Sequence, residues 1–270
     1  MHKKFLDIPI DWVDPDALER KIKLFVTTKQ PHHIVTVNPE FIVVSRGNET
    51  FRTALQEADL SLPDGTGIVL GQTFFDKPYR KSKLTRLGQY LALCFQFVLY
   101  PHSFTYKRIT GVDLTDRLLQ MSAAHGWRVY LLGANPGIAA KAAEVWTSVY
   151  PELKIVGTSS SDPEDKNTIP DVKAAQPDIL IVAYGSPKQE LFIYKNKAAL
   201  KVPVMVGVGG TFDTAAGTRY NPPKWIKFLG FEWLTYLITQ PKRYRRIWRS
   251  TITFSNLIIS SKSLDKKLEI

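Results

Sequence analysis

Residues 178–213 contain two short apolar runs, and each run ends in a glycine turn that carries polar side chains. The first reads Asp178-Ile-Leu-Ile-Val-Ala-Tyr184-Gly185-Ser-Pro-Lys-Gln-Glu190, and the second reads Pro203-Val-Met-Val-Gly-Val-Gly209-Gly210-Thr-Phe-Asp213. Apolar runs without alternation are typical of strands buried on both faces, as in a parallel sheet. Ligands of such sheets bind at the carboxyl ends of the strands, so Gln189 and Asp213 are candidate site residues. The plain alternative is that these glycines only turn the chain.

Strands and helices alternate along the rest of the chain. The pattern predicts strands at 34–37, 60–62, 128–132 and 153–157, and helices at 40–58 (broken at Gly47-Asn48), from about 66, at 113–125, from about Pro136, and at 167–175. This alternation predicts an α/β fold with right-handed βαβ units and a parallel sheet. Beyond Pro223 only helices are expected, so we predict a core at 1–218 and a C-terminal helical appendage at 219–270.

The composition is that of an ordered globular protein, with 270 residues, 44% hydrophobic and 23% charged. Cys94 is the only cysteine, so no internal disulfide can form and the reducing cytoplasm is the expected compartment. The first residues become polar too early for a signal peptide. The most apolar segment, 87–100, has 14 residues, whereas a bilayer span needs about 20. The chain is therefore not expected to be an integral membrane protein.

The net charge of +11 is concentrated in two stretches. Residues 77–108 contain seven basic side chains and no acid, and residues 219–249 contain eight basic side chains against Glu232 alone. Both stretches also contain aromatic residues, a combination that indicates either nucleic acid or an anionic membrane surface. Because no zinc spacing, RNP-like motif or helix-turn-helix signal is present, we favour the membrane surface and predict no nucleic-acid partner.

Three further turns follow predicted strands. They are Thr36-Val-Asn38-Pro-Glu40, Pro63-Asp64-Gly65 and Gly133-Ala134-Asn-Pro136-Gly137. Asn38 could simply cap a helix, and Pro63-Gly65 could be a simple turn. The third turn opens a helix, where free N–H groups favour an anion. It lacks the G-x-G-x-x-G pattern, and no acid ends the next strand, so NAD binding is disfavoured and no cofactor is predicted.

Together these segments resemble the WecG/TagA/CpsF family of bacterial glycosyltransferases, from about residue 34 to 249. Seven motifs carry the resemblance in the family's order: Thr36-x-Asn38-x-Glu40, Pro63-Asp64-Gly65, Arg108-x-x-Gly111-x-Asp113-Leu114, Leu132-Gly133-Ala134-x-Pro136-Gly137, Gly185-Ser186-Pro187-Lys188-Gln189-Glu190, Gly207-Val-Gly-Gly-Thr-Phe-Asp213 and Gly230-Phe-Glu232-Trp233-Leu234.

The resemblance implies a Rossmann-like parallel sheet with flanking helices and a C-terminal appendage. It also implies an inverting, metal-independent enzyme that moves a sugar, typically N-acetylmannosamine, from a UDP donor. The implied acceptor is N-acetylglucosamine on undecaprenyl diphosphate, used in cell-surface polysaccharides such as teichoic acid or exopolysaccharide. The expected location is peripheral, on the inner face of the bacterial cell membrane. Whether the chain forms a homo-oligomer stays open.

The resemblance also assigns roles to individual residues. Asp64 is the implied catalytic base, Thr36 and Asn38 line the same pocket, and Gln189 lies beside the sugar. The implied substrate-binding residues are Arg108, Gly133, Ala134, Pro136, Gly137, Tyr184, Gly185, Lys188, Gly209, Asp213, Arg243 and Arg246. No carboxylate pair suited to a metal is apparent, so arginines and helix N-termini would neutralise the diphosphate.

Two features depart from the family pattern. The stretch 72–107 is longer and more aromatic than usual, which indicates either an added lipid-contact element or a packed hairpin. Tyr236 stands where the family commonly has Arg. Two other functions remain open: a non-catalytic nucleotide- or RNA-binding protein that uses the basic face, and a sugar-nucleotide epimerase, which would need a bound nicotinamide.

Overall fold

The computed structural model describes residues 1–240 and 243–261, with only the backbone at Lys224 and Lys227. Its strands are β1 (His2–Phe5), β2 (Ile8–Asp11), β3 (His32–Val37), β4 (Leu60–Pro63), β5 (Arg128–Gly133), β6 (Lys154–Ser159), β7 (Ile179–Ala183) and β8 (Val204–Gly207). Strands β3 to β8 form one parallel sheet in the order β4-β3-β8-β7-β5-β6, and β1 pairs with β2 in an antiparallel hairpin. The predicted α/β fold with a parallel sheet is confirmed.

The two apolar runs within residues 178–213 form β7 and β8, which are neighbouring central strands. Every residue of β7 and β8 is buried. Ile179 and Ile181 pack into the core on one face of the sheet, whereas Leu180 and Val182 pack into the core on the other. Because both faces are covered, neither strand has a polar alternation, and their carboxyl ends come to the same edge of the sheet.

The helices surround this sheet. They are α1 (Pro15–Thr28), α2 (Pro39–Ser45), α3 (Glu49–Gln56), α4 (Thr66–Phe75), α5 (Lys83–Leu99), α6 (Gly111–His125), α7 (Ile138–Val149), α8 (Thr168–Ala175), α9 (Lys188–Leu200), α10 (Thr211–Ala215), α11 (Lys224–Phe228), α12 (Glu232–Thr239), α13 (Tyr244–Trp248) and α14 (Phe254–Ser260). A capping box fixes the start of α6, because Oγ1 of Thr110 accepts from the Asp113 N–H at 3.1 Å and Oδ2 of Asp113 accepts from the Thr110 N–H at 3.3 Å.

The predicted elements agree closely with the observed ones. The predicted break at Gly47-Asn48 separates α2 from α3, and Oδ1 of Asn48 caps α3 by accepting from the N–H of Phe51 at 2.9 Å. The stretch 72–107 contains the end of α4, all of α5 and a short 3-10 turn at Pro101–Ser103. Strands β1 and β2 and helix α1 were not predicted from the sequence.

The C-terminal helices differ in how they pack. Helix α12 has no buried residue, whereas Phe254 and Ile258 of α14 are buried in the core. The ring of Phe254 stacks on that of Phe5, with 6.0 Å between the centroids. The division at residue 218 stays a prediction, but α14 shares a core with β1. Lys242 and residues 262–270 of the predicted appendage lie outside the described residues.

Among the described residues, no helix is long and apolar enough to cross a membrane.

Candidate active site

The turns that follow β5, β6, β7 and β8 border a cleft of about 640 Å³ at the carboxyl edge of the sheet. Residues of the C-terminal helices complete its lining. The cleft is lined by Ala134, Asn135, Ser160–Pro163, Ala183–Gly185, Lys188, Gly209, Gly210, Asp213, Thr218–Tyr220, Thr239, Gln240, Arg243 and Arg246.

Eight of the predicted substrate-binding residues line this cleft: Ala134, Tyr184, Gly185, Lys188, Gly209, Asp213, Arg243 and Arg246. Four others, Arg108, Gly133, Pro136 and Gly137, do not. A Cβ atom at Gly133 would lie 2.8 Å from the ring of Tyr184, so this glycine leaves room for a side chain that lines the cleft. The structure thus places most of the predicted substrate-binding residues around one cleft. Their individual roles stay predictions.

Arg219, Arg243 and Arg246 converge on one side of the cleft. Burial of the Arg243 guanidinium, together with repulsion from Arg246 and Arg219, lowers the pKa of Arg243 to about 10. The buried Nε of Arg219 has no hydrogen-bond acceptor within residues 1–240 and 243–261. Cations crowded in this way are stabilised by a bound anion, so the cleft suits a phosphate or diphosphate.

Arg219 was not among the predicted site residues, although it lies in the basic stretch 219–249. Its guanidinium lies 4.9 Å from the centre of the Tyr236 ring. Tyr236, which stands where an Arg was expected, therefore stabilises Arg219 through a cation–π contact. A Cβ atom at Gly210 would lie 2.0 Å from Nη1 of Arg219. A side chain at this position would therefore displace the guanidinium from its present place in the cleft.

Arg246 also contacts the core through Glu40, the acid of the first predicted turn. Nε of Arg246 lies 2.5 Å from Oε2 of Glu40, and Nη1 of Arg249 lies 3.8 Å from Oε1. Burial raises the pKa of Glu40, while Arg246, Arg249 and Arg243 oppose this shift. Glu40 therefore holds α13 and its arginines against the start of α2.

Gln189 is buried and does not line the cleft. Its Oε1 accepts hydrogen bonds from the N–H of Gly185 at 3.0 Å and of Gly209 at 2.9 Å, and its Nε2 donates to Oε1 of Glu190 at 2.7 Å. A Cβ atom at Gly207 would lie 2.6 Å from Nε2 of Gln189. The amide thus joins the turns after β7 and β8, and its place beside the sugar stays a prediction.

Asp64 lies at the end of β4, outside the lining of the cleft. The Gly111 N–H donates to its carboxylate, and the Ile109 N–H donates to the carbonyl oxygen of Pro63 at 2.8 Å. Burial raises the pKa of Asp64 to about 7; Arg108 opposes the shift, while Glu232 and Asp113 add to it. A carboxyl group with a pKa near neutrality can accept a proton during a reaction.

Arg108 lies beside Asp64 and joins the core to the C-terminal helices. Its Nη1 lies 2.7 Å from Oε1 of Glu232, the first residue of α12, and 3.4 Å from Oγ1 of Thr66. A Cβ atom at Gly230 would lie 2.7 Å from the same Thr66 oxygen. The start of α12 therefore packs directly against the turn that carries Asp64.

The other two predicted catalytic residues lie on β3 and just after it, next to β4. Thr36 is buried, and its Oγ1 would lie 3.7 Å from a Cβ atom at Gly111, the residue that donates to Asp64. Oδ1 of Asn38 accepts from the N–H of Phe41 at 3.1 Å and so caps α2, as the plain alternative proposed. Thr36 and Asp64 thus share a neighbour, and Asn38 has at least a capping role.

Within the described ranges, no group of three or more His, Cys, Asp or Glu side chains is arranged to hold a metal ion.

A parallel sheet with an arginine-lined cleft at its carboxyl edge is the arrangement of an α/β enzyme that binds a phosphorylated ligand. The sequence model of the glycosyl transferase WecG/TagA/CpsF family matches residues 3–96 and 80–267. The chain belongs to this family and is a glycosyltransferase, which confirms the resemblance carried by the seven motifs. The two matched segments overlap at residues 80–96, within the stretch that the sequence analysis singled out as unusual.

Three relatives share one descriptive name, N-acetylglucosaminyldiphosphoundecaprenol N-acetyl-beta-D-mannosaminyltransferase. The protein of Bacillus spizizenii is 31% identical over 79% of this chain and 74% of its own length. That of Bacillus subtilis strain 168 is 27% identical over 88% of this chain and 80% of its own length. That of Staphylococcus aureus strain NCTC 8325 is 27% identical over 91% and 87%.

Proposed function

We propose that this enzyme transfers N-acetylmannosamine from UDP to N-acetylglucosamine carried on a lipid diphosphate, in the synthesis of a cell-surface polymer. The names of the relatives support the transferred sugar and the acceptor. The single observation that carries the proposal is the placement of Asp64, whose pKa is about 7, at the same sheet edge as an arginine-lined cleft.

Asp64 acts as the general base in this proposal. It removes the proton from the acceptor hydroxyl while that oxygen attacks the anomeric carbon of the donor sugar. Attack from the side opposite the departing UDP inverts the configuration at that carbon. A base with a pKa near the working pH combines a large ionised fraction with a strong affinity for the proton, and such catalysis contributes about two to four orders of magnitude in rate.

The cleft binds UDP. Arg219, Arg243 and Arg246 face the diphosphate and stabilise the negative charge that develops as the glycosidic bond breaks. No step is assigned to a metal ion, because the arginines supply the required positive charge. Asp213 and Ala134 contact the nucleotide from the turns after β8 and β5.

The donor sugar lies between the cleft and Asp64. Gly111 lies between Asp64 and the cleft. A Cβ atom at Gly111 would lie 3.7 Å from Oγ1 of Thr36 and 3.7 Å from the carbonyl oxygen of Val208, which precedes the cleft residue Gly209. Gln189 positions the turns that form the cleft and does not contact the sugar. Arg108 adjusts the ionisation of Asp64 from the other side.

The acceptor remains in the bilayer, so the enzyme must work at a membrane surface. The C-terminal helices expose large apolar side chains among basic residues, including Trp225, Ile238 and Trp248. Aromatic and basic side chains together favour an anionic membrane interface. We therefore assign peripheral membrane association to this enzyme.

A screen of several UDP-sugars, with a short-chain N-acetylglucosaminyl lipid diphosphate as acceptor, tests the proposal. Released UDP is measured in EDTA, and the product is identified by mass spectrometry. We expect turnover with UDP-N-acetylmannosamine and little with its N-acetylglucosamine epimer. Turnover that requires added magnesium or manganese would contradict the metal-independent mechanism, and preference for another donor would contradict the sugar assignment.

A further inference from the structure

Helix α5 carries apolar side chains on two opposite faces. The inner face, with Tyr90, Leu93 and Phe97, is buried against the core. The outer face consists of Leu84, Leu87, Leu91, Phe95 and Leu99, which are 78%, 39%, 57%, 67% and 51% exposed. Their spacing of three or four residues places them in one stripe along the helix. Soluble monomers rarely expose so continuous an apolar surface unless it has a partner.

The chain segment that carries this outer face is basic and contains no acid. Lys83 and Arg86 are the only charged residues of α5, and Arg86 is buried on the inner side. Residues 77–112 contain no acid at all, and the basic side chains at the two ends of α5 are exposed: Lys77, Arg80, Lys81, Lys83 and Lys107. Tyr79 and Tyr100, near the two ends of the helix, are also exposed. An apolar stripe bordered by cations and tyrosines is typical of a helix that lies in a membrane interface.

The inner face holds α5 on the protein, so the helix cannot leave it to cross a bilayer. Nη2 of Arg86 donates to the carbonyl oxygen of Ile258 at 3.1 Å, and the hydroxyl groups of Ser255 and Tyr90 lie 3.2 Å apart. A second copy of the chain is a poor partner for the outer face, because contact between two such segments would bring like charges together. An anionic lipid surface is complementary in both charge and hydrophobicity.

We propose that the outer face of α5 docks flat on the anionic leaflet that carries the lipid-linked acceptor. This inference rests on the proposed function and extends it by naming a membrane-contact element within the core. From α5 the chain runs through the turn Pro101–Ser103 to Arg108, which adjoins Asp64. His102 of that turn contacts Phe228 of α11, with 4.8 Å between the ring centroids. Docking of α5 therefore brings the surroundings of Asp64 to the membrane together with the C-terminal helices.

Co-sedimentation of the full chain with vesicles tests the proposal. The vesicles contain phosphatidylglycerol and phosphatidylcholine in equal parts, and the double variant Leu91→Gln, Phe95→Gln is compared with Val145→Gln, Val149→Gln. Val145 and Val149 are exposed one turn apart on α7, at 37% and 60%, and form a matched control. We expect the α5 variant to lose about tenfold or more in vesicle affinity, since two apolar side chains no longer enter the interface, and the α7 variant to bind as the unmodified chain does. Equal binding of the two variants would overturn the proposal.

Activity measurements separate this proposal from the proposed function. The α5 variant should transfer sugar normally to a water-soluble short-chain acceptor and poorly to a long-chain acceptor in vesicles. Absence of transfer by the unmodified chain to either acceptor would refute the proposed function, whereas the vesicle affinities would still decide the role of α5. If sedimentation showed a dimer that the α5 variant abolishes while vesicle binding is retained, the partner of this face would be a second copy and the proposal would be wrong.

Discussion

Nη1 of Arg108 lies 2.7 Å from Oε1 of Glu232, so the cation beside the proposed base is paired with the first residue of α12. The two residues act on Asp64 in opposite directions, since Arg108 lowers its pKa and Glu232 raises it. The C-terminal helices therefore influence the ionisation of Asp64 as well as lining the cleft. In the proposed mechanism, the docking of α12 and the ionisation of the base are therefore coupled through this ion pair.

Replacement of Glu232 by Gln tests this coupling. The change removes a negative charge near Asp64 and breaks the ion pair between Glu232 and Arg108, so the pKa of Asp64 should fall. The acidic limb of the pH profile of kcat/KM should move to lower pH. Glu49→Gln is the control, because Glu49 is exposed and pairs with Arg52 on α3, away from the site. An acidic limb that stays in place would show that Glu232 does not act on the base.

Replacement of Asp64 by Asn should stabilise the protein at alkaline pH. The pKa of Asp64 is about 7 in the folded chain, compared with an ordinary 3.8, so the folded state binds the proton more tightly. Stability contributed by this group is lost as the pH rises from about 4 to about 7. Asn carries no charge and avoids that loss, so the midpoint of thermal unfolding should rise by about 2 °C or more at pH 8 and by less at pH 5. An equal change at both pH values would argue against a buried, ionising Asp64.

Loss of the cleft arginines should weaken UDP binding. Each hydrogen bond to a charged group contributes about 1.5–3 kcal/mol, so Arg243→Ala with Arg246→Ala should raise the Kd for UDP by roughly two orders of magnitude or more. Calorimetric titration measures this directly. Arg245→Ala is the matched control, because Arg245 lies on the same helix, contacts Tyr244 and does not line the cleft. Similar Kd values for the double variant and the control would remove these arginines from the UDP site.

Gln189→Ala should affect both stability and UDP binding, although Gln189 does not line the cleft. The change leaves the part-buried N–H groups of Gly185 and Gly209 without their acceptor, at about 1 kcal/mol or more for each group. The midpoint of thermal unfolding should fall by roughly 5 °C, and the Kd for UDP should rise. Gln56→Ala, which removes one exposed hydrogen bond to Asp7, is the control. A normal midpoint together with lost turnover would restore Gln189 to a place beside the sugar.

The sequence predicted the parallel sheet well because its strands are short, apolar and bounded by Gly, Pro or Asn. It did not predict β1 and β2, whose pairing with each other and packing against α14 depend on contacts between distant parts of the chain. The motifs placed the turns after β5, β7 and β8 at one edge of the sheet, because parallel strands bring their carboxyl ends together. The inward direction of the Gln189 amide and the stacking of Arg219 on Tyr236 could not be predicted, because a motif fixes the position of a residue in the chain and not the atoms that its side chain contacts.

Asp64 is proposed here as the base of a sugar transfer from UDP. The most direct measurement compares the purified chain with Asp64→Asn, in EDTA, for UDP release from UDP-N-acetylmannosamine with a lipid-diphosphate acceptor and for the Kd of UDP. We predict that turnover falls by about two to four orders of magnitude while the Kd is unchanged, because Asn keeps the shape and loses the base. Near-normal turnover of the variant would show that Asp64 is not the base.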